Sequence, residues 1–461
     1  MIIEVGSKVE KRSSLGGATV LIVGAGPAGL VLGNLLLAAG VGCLIVERSS
    51  RAHVERRARA GFLAEHTVRV LADNGLADGL AARGRRHDTC VFRTGRGEFA
   101  LRYGGLGRGE AHTVYPQQEL VTDLIAEFLR RGGDLRFETA VREIGGLDGE
   151  RPWLVAQSVG GADGASRAEG AGGAGGADIA NATDGTGSGS ATSSGTGTST
   201  STSTSTSTDA SLSPNPPYRL TARYIAGCDG RHGVCRRHVP AGTVRTHRRR
   251  HGVSWLALLV ETPPSLPAVT YAVHDRGFAG HMARTPSVTR YYLQCAPGTD
   301  PGTWSDDALW DELDLRMRAE RFGPLRRGPV LERTVVDLES DVLDPMQYGP
   351  LFLAGDAAGL ISPSAAKGAN LAVMAAETLA RAFTAALHDG DEEPLARYSA
   401  TCLPRIWRAQ EFSHWMIGLL HAPAGDDDEA RFLRALRDSR LESLRTSPAQ
   451  QHSFADSYVG I

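Results

Sequence analysis

Gly24-Ala25-Gly26-Pro27-Ala28-Gly29 fits G-x-G-x-x-G, a spacing in which backbone rather than side chains can meet an anion. The first glycine permits a tight turn, the second lets the main chain approach a pyrophosphate, and the third lets a helix lie close on a strand. Glu47 stands about 20 residues further on, where a ribose hydroxyl needs an acceptor. Two more carboxylates sit beside glycines: Asp229 in Gly227-Cys228-Asp229-Gly230 and Asp356 in Gly355-Asp356. The first can touch phosphates and nicotinamide, or can belong to an ordinary turn. The second can hold sugar-like hydroxyls where a strand hands over to a helix. The chemistry these groups share is the binding of a dinucleotide.

The surrounding elements must present those groups. Val20–Val23 and Cys43–Val46 are short apolar runs without polar alternation, as parallel strands buried on both faces require. Between them a helix is predicted to start at Pro27, whose missing N–H costs nothing in a first turn, and to stop at Gly40. Its N-terminal N–H groups and dipole then face the anion. Helices are also predicted over 66–75, 118–131 and 304–322, the second ended by Gly132-Gly133. A long helix over 368–387 follows a strand over 351–354. Helices fill the C-terminal part, where Ile406, Trp407, Phe412, Trp415 and Met416 read as core or dimer surface. Strands are predicted over 90–103, 153–157, 218–225 and 330–338, with four short ones between 255 and 294 that suggest a mostly antiparallel sheet.

At 461 residues the chain can hold two or three domains with cores of their own. A net charge of -2 and a pI near 6.7 give no bulk reason to expect nucleic acid or an anionic membrane as partner. The basic run 245–251 lacks interleaved aromatics and reads as solvated surface. Six cysteines without C-x-x-C or Cys/His spacing argue for a reducing compartment and no metal site. No stretch approaches a membrane span and the N-terminus lacks the apolar core of a signal peptide, so a cytoplasmic location is expected. The segment 158–217 is dominated by Gly, Ala, Ser, Thr and Asp, with an alternating Ser-Thr run at 198–208. Little in it can offset the entropy of ordering, so it reads as a disordered insertion in the turn of a β-hairpin.

The N-terminal glycine motif, the mid-chain Cys-Asp-Gly and the late Gly-Asp stand together in one chain. Beside them are Tyr224-Ile225-Ala226-Gly227, Arg276-Gly277-Phe278-Ala279, Phe352-Leu353-Ala354-Gly355-Asp356-Ala357-Ala358 and Ser457-Tyr458-Val459-Gly460. From about Thr19 to Tyr458 the sequence resembles the 4-hydroxybenzoate 3-monooxygenase family of FAD-dependent aromatic hydroxylases. The resemblance implies an α/β fold with an FAD-binding Rossmann-like domain assembled from 18–90, 115–157, 218–240 and 336–387. It further implies substrate-domain strands at 91–114, a mostly antiparallel substrate-binding sheet over 241–335, and a helical C-terminal region over 388–461. FAD would be held by Gly24, Gly26, Gly29, Glu47, Arg59, Gln117, Asp356, Lys367 and Asn370. Of these, Arg59 and Gln117 would face the pyrophosphate, and the helix start at Ala369 and Asn370 would face the pyrimidine edge of the flavin. NADPH or NADH would be met by Arg57, His232 and Arg236. Glu339 stands where the family has an arginine, which leaves the choice between the two open.

The same resemblance implies hydroxylation of a para-hydroxylated benzoate with NAD(P)H and O₂. A phenol is attacked far more readily as phenolate, so the site must remove the phenolic proton while excluding water. Tyr271 would hold the phenolic oxygen, and a relay would run through Tyr458 to His87, with Pro363 at the same site. Free tyrosine titrates at about 10 and histidine at about 6.5, which suits the histidine to the solvent end. Arg284 and Tyr292 would clamp the carboxylate. Met282 occupies the place of a family serine and cannot donate a hydrogen bond. Gly359 and Ser362-Pro363-Ser364-Ala365 also alter the pocket wall. The alternative substrate is therefore 3-amino-4-hydroxybenzoate in secondary metabolism, giving 3-amino-2,4-dihydroxybenzoate. A flavin oxidoreductase that inserts no oxygen and a non-catalytic flavin binder are the other classes. The expected partners are a small aromatic acid and O₂, without nucleic acid or membrane, and a homodimer is one option for assembly.

Overall fold

The computed structural model describes residues 18–57, 61–159, 215–319, 323–421 and 425–460. β1 (Val20–Val23) turns through the glycines into α1 (Pro27–Ala38) and returns as β2 (Cys43–Val46). α2 (Glu65–Asp73) leads to a hairpin of β3 (Cys90–Thr94) and β4 (Gly97–Leu101), and α3 (Gln117–Arg130) leads to β5 (Asp134–Arg136). Then come β6 (Tyr224–Gly227), β7 (Arg245–Val260), β8 (Val269–His274), β9 (Gly277–Thr285) and β10 (Val288–Cys295). α4 (Asp306–Met317), β11 (Val330–Asp344) and β12 (Leu351–Leu353) precede the closing helices α5 (Gly368–Thr384), α6 (Tyr398–Leu420), α7 (Asp428–Thr446) and α8 (Pro448–Val459).

The first sheet has the order Gln347–Tyr348, β12, β6, β1, β2, β5, parallel except at the Gln347–Tyr348 edge. Every residue of β1 and β2 is buried. α1 is buried without a break from Ala28 to Leu36, and a helix apolar all round must be covered all round. α3 and α5 supply that cover. The chain steps from β1 to β2 on one side and later places β6 on the other. The crevice at the C-terminal end of β1 is therefore the point where such sheets take ligands.

The second sheet has the order β11, β7, β10, β9, β8, β3, β4. It is mostly antiparallel, as expected, but not purely so: β8 and β3 run in parallel with Tyr271 opposite Phe92. One face carries Trp255, Tyr271, Phe278 and Tyr292 and packs on α6, α7 and α8. The other face, with Leu256, Leu258 and Leu293, packs on Leu309 and Trp310 of α4. A small third sheet sets Phe62–Leu63 and Arg85–His87 on either side of His112–Val114, with His87 opposite His112.

Where the sequence predicts one strand over 90–103, the structure has the β3–β4 hairpin, whose turn ends on Gly97 at φ +116°. The predicted strand 218–225 is two elements: Tyr218–Thr221 pairs antiparallel with Trp153–Ser158, whereas β6 belongs to the parallel sheet. The hairpin flanking the low-complexity insertion is thus present, and 160–214 within it lies outside the described residues. The basic run 245–251 is the outer half of β7, where Arg245, Arg248 and Arg250 face Asp344, Asp341 and Glu339 of β11. β11 itself runs unbroken through the boundary expected at 335/336. No helix among the described residues is long and apolar enough to cross a membrane.

Candidate active site

At the glycine turn, backbone packing sets the residue types. Gly24 has φ +105°, and a Cβ there would lie 2.5 Å from the Cys228 carbonyl oxygen. A Cβ on Gly29 would lie 2.0 Å from the Gly24 carbonyl oxygen. Gly26 differs, since nothing lies within 4 Å of the position a Cβ would take. Its open side adjoins the N-terminus of α1, whose first N–H groups have no partner within the helix. Glu47 accepts hydrogen bonds from the Ala25 and Ser49 N–H groups, each at 2.9 Å. This pins the turn to the end of β2 and leaves each carboxylate oxygen a lone pair. Gly355, at φ +63°, stands so close to Ala28 that its Cβ would be 3.2 Å from that methyl group. The half-buried Asp356 follows Gly355 directly, which places its backbone beside the start of α1. An open anion cradle with a carboxylate on each side fits FAD. Gly29→Ala should cost at least about 1–3 kcal/mol through overpacking against fixed backbone. Thermal unfolding together with the flavin content of the purified protein checks this.

Among the other residues expected at the flavin, Gln117 opens α3 and Arg59 lies outside the described residues. The Asn370 and Lys367 side chains already have partners in the protein. The Asn370 amide accepts from the Ala64 N–H and the Thr67 hydroxyl, both at 2.8 Å, and donates to the Phe62 and Ala366 carbonyls, both at 3.0 Å. Its backbone N–H, in the first turn of α5, is what remains to face a ligand. Lys367 donates to the Tyr458 carbonyl at 2.8 Å and to the Gly460 carbonyl. Burial pushes its ammonium down to about 7, against the pull of those carbonyls.

A lysine that titrates lower folded than unfolded makes stability rise with pH while the unfolded chain still holds the proton. That window runs from about 7 to the ordinary value of 10.5. Lys367→Met should lack this gain and should loosen residues 458–460. Denaturant unfolding at pH 7 and about 9 reads the first effect, and amide exchange at the end of α8 reads the second.

The residues expected around the substrate lie at a cavity whose wall includes Phe62, Trp255, Tyr271, Met282, Tyr292, Pro363 and Tyr458. Tyr271 and Gly280 pair across β8 and β9, and Gly280 and Tyr292 across β9 and β10, so Tyr271 and Tyr292 share one face with a bare glycine between them. The Tyr271 and Tyr458 hydroxyls are 2.7 Å apart. Burial, reinforced by neighbouring groups, pushes both phenols above the ordinary range. Trp255 turns its indole N–H away, donating at 2.6 Å to His421 Nε2, and so leaves an apolar face to the wall. Arg284 is buried at a register shift in β9, where an extra residue re-aims a side chain. It is not among the residues lining the cavity, and Tyr292, Arg290 and Glu332 are within its electrostatic reach. Burial pushes its guanidinium down to about 10, which leaves it protonated at neutral pH.

His87 does not meet Tyr458 directly. Its Nε2 accepts from the Val269 N–H at 3.2 Å, and its Nδ1 lies 2.7 Å from the Tyr103 hydroxyl. Burial pushes the imidazole down to about 4, so it can pass a proton but not keep one at neutral pH. Tyr103 and His112, which share this corner, carry no mark in local spacing; only the pairing of Arg85–His87 with His112–Val114 brings them to His87.

Of the residues expected at the nicotinamide cofactor, Arg57 caps the exposed helix Arg51–Arg56 and His232 is exposed. Arg236 pairs with Asp341 at 3.5 Å, and Glu339 pairs with Arg250 at 3.0 Å and with Arg231. Asp229 accepts from the Cys235 N–H at 2.9 Å, capping the short helix Val234–Arg237.

The sequence profile of a family described as FAD binding domain matches residues 17–165 and 171–413. The chain is similar to p-hydroxybenzoate hydroxylase of Acinetobacter baylyi, 32% identical over 442 residues that cover 96% of this chain and 95% of that protein. Among solved structures it is similar to p-nitrophenol 4-monooxygenase from Pseudomonas putida, with TM-score 0.73 and 16% identity over 96% of this chain and 98% of that one. It is also similar to anhydrotetracycline hydroxylase from Streptomyces rimosus, with TM-score 0.67 and 19% identity over 95% of this chain and 75% of that one. At such identities the two structures speak for the fold alone.

Proposed function

Since the chain belongs to the FAD-binding-domain family, among the FAD-dependent aromatic hydroxylases of the p-hydroxybenzoate hydroxylase type, we propose that its substrate is a para-hydroxylated benzoate and its reductant NADPH or NADH. One observation carries this reading: a single cavity is lined by Tyr271 and Tyr458, whose hydroxyls are paired, and by Tyr292, which is within electrostatic reach of the buried Arg284. When bound and reduced, FAD supplies an electrophilic oxygen derived from O₂. Tyr271 meets the phenolic oxygen and hands its own proton to Tyr458 as the phenol ionises. Tyr292 in the wall and Arg284, whose side chain has to turn towards the cavity when the acid binds, hold the carboxylate by charge-assisted hydrogen bonds. Phe62, Trp255, Met282 and Pro363 keep water from the reacting ring. Arg57, His232 and Arg236 are the groups assigned to the nicotinamide cofactor.

Met282 favours a second substrate, 3-amino-4-hydroxybenzoate, because a flexible thioether in the wall adapts to an additional ring substituent. The deciding experiment follows NADPH and NADH oxidation by the FAD-loaded protein across a panel of benzoates, with products identified by mass and NMR. A hydroxylated product from 4-hydroxybenzoate supports the first reading, and one from the amino acid alone moves the assignment to the second. Hydrogen peroxide with every acid and no hydroxylated ring would sink oxygen insertion.

A further inference from the structure

Tyr271 and Tyr458 form one hydrogen-bonded pair, and His87 belongs to another that begins at Tyr103. Between the two lie polar side chains in an otherwise apolar core. Tyr103 is fully buried, its ring edge-on to that of Tyr458 with centroids 5.0 Å apart. Its hydroxyl lies 2.7 Å from His87 Nδ1 and 3.3 Å from His112 Nδ1, and it donates to the His87 carbonyl. His87 and His112 are directly opposed across two strands, which is why one phenol can meet both rings. His112 is buried as well, its ring 5.1 Å from that of Tyr458, and its Nε2 has no hydrogen-bond partner. An unpartnered buried polar atom costs roughly 1–3 kcal/mol, so packing alone does not account for a histidine there.

Resting on the function proposed above, we propose that Tyr103 carries the proton from Tyr458 to His87, and that His112 is a positioning residue that holds the Tyr103 hydroxyl between them. As the bound phenol ionises, its proton passes to the Tyr271 oxygen while the proton of Tyr271 moves to Tyr458. The Tyr458 and Tyr103 hydroxyls share no direct hydrogen bond, so the proton of Tyr458 moves to Tyr103 through an intervening water, and that of Tyr103 to His87 Nδ1, while His87 releases one from Nε2 to water. Every side chain ends as neutral as it began, and the phenolate is the only new charge within the site. The last transfer needs the His87 proton on Nε2, and so the loss of the 3.2 Å bond from the Val269 N–H. Asp88 faces His87 and Tyr103, Cys90 faces the phenols, and Lys367 faces His112 with Arg108 and Glu110 beyond it. Burial holds both imidazoles below their usual range and the three phenols above theirs, which suits a path that passes a proton without storing it.

The test uses FAD-loaded protein with bound 4-hydroxybenzoate and follows the absorbance of its phenolate after a pH jump. Tyr103→Phe removes one oxygen and should slow ionisation about tenfold or more without changing the dissociation constant. Combining it with His87→Asn should slow ionisation no further than the slower single variant, as steps in series require. An unchanged ionisation rate in Tyr103→Phe overturns the proposal. Should that variant not fold, His112→Leu takes its place, with slower ionisation expected and an unchanged rate again overturning. Tyr271→Phe separates the two levels. If it slows ionisation and Tyr103→Phe does not, the link alone fails; if neither does, the reading of the site fails.

Discussion

Arg284→Ala should raise the dissociation constant for 4-hydroxybenzoate roughly 10- to 150-fold, the worth of a hydrogen bond to a charged group withdrawn from a buried site. The side chain is 7% exposed, so water cannot replace it as a partner for the carboxylate. Tyr292 would remain, but a neutral hydroxyl does not balance a carboxylate in a wall that includes Trp255 and Met282. The effect should fall on binding and spare flavin content, because Arg284 belongs to β9 and the flavin residues to the first sheet. The pH dependence has a definite sign. With its guanidinium at about 10, affinity should be flat through neutral pH and fall only as pH rises through that value. Titration of the flavin fluorescence with 4-hydroxybenzoate reads both quantities. An unchanged dissociation constant would remove Arg284 from the carboxylate site.

What could be read in advance follows the range of the physical signal. The glycine turn, α1 and Glu47 are legible because their determinants lie close along the chain: a positive φ at Gly24, a close approach at Gly29, and an acceptor at the next strand end. The β3–β4 hairpin was hidden because Thr94-Gly95-Arg96-Gly97 interrupts an apolar alternation that otherwise continues to Tyr103. The basic run at the start of β7 is largely exposed, as its composition implies, but only the pairing with β11 reveals that Glu339, Asp341 and Asp344 stand opposite it. Lys367 and Asn370 are the instructive cases at the site. Their types suit a cofactor, but the C-terminal carbonyls and the backbone near Phe62 claim their polar atoms first, and sequence distance gives no hint of that. Tyr103 and His112 lie deeper still, because a strand register decides whether they meet His87 at all.

Tyr271→Phe should lower hydroxylation by about 100- to 10,000-fold at neutral pH, the range that positioned proton transfer contributes. The variant keeps the ring that packs against Phe92 and Phe278 and loses only the oxygen bonded to Tyr458, so fold and FAD content should persist. Without that oxygen the bound phenol has no route for its proton and stays neutral, and a neutral phenol is the poorer nucleophile. The deficit should therefore shrink as pH rises towards about 10, where a phenol ionises unaided. Tyr458→Phe should be milder, because Tyr271 still meets the phenolic oxygen and lacks only the next acceptor. Loss of carboxylate grip as Arg284 titrates limits the recovery at the top of the range, so product formation has to be measured at saturating acid at each pH. Should Tyr271→Phe match the wild-type rate at neutral pH, the proton leaves the ring by a path that avoids both tyrosines.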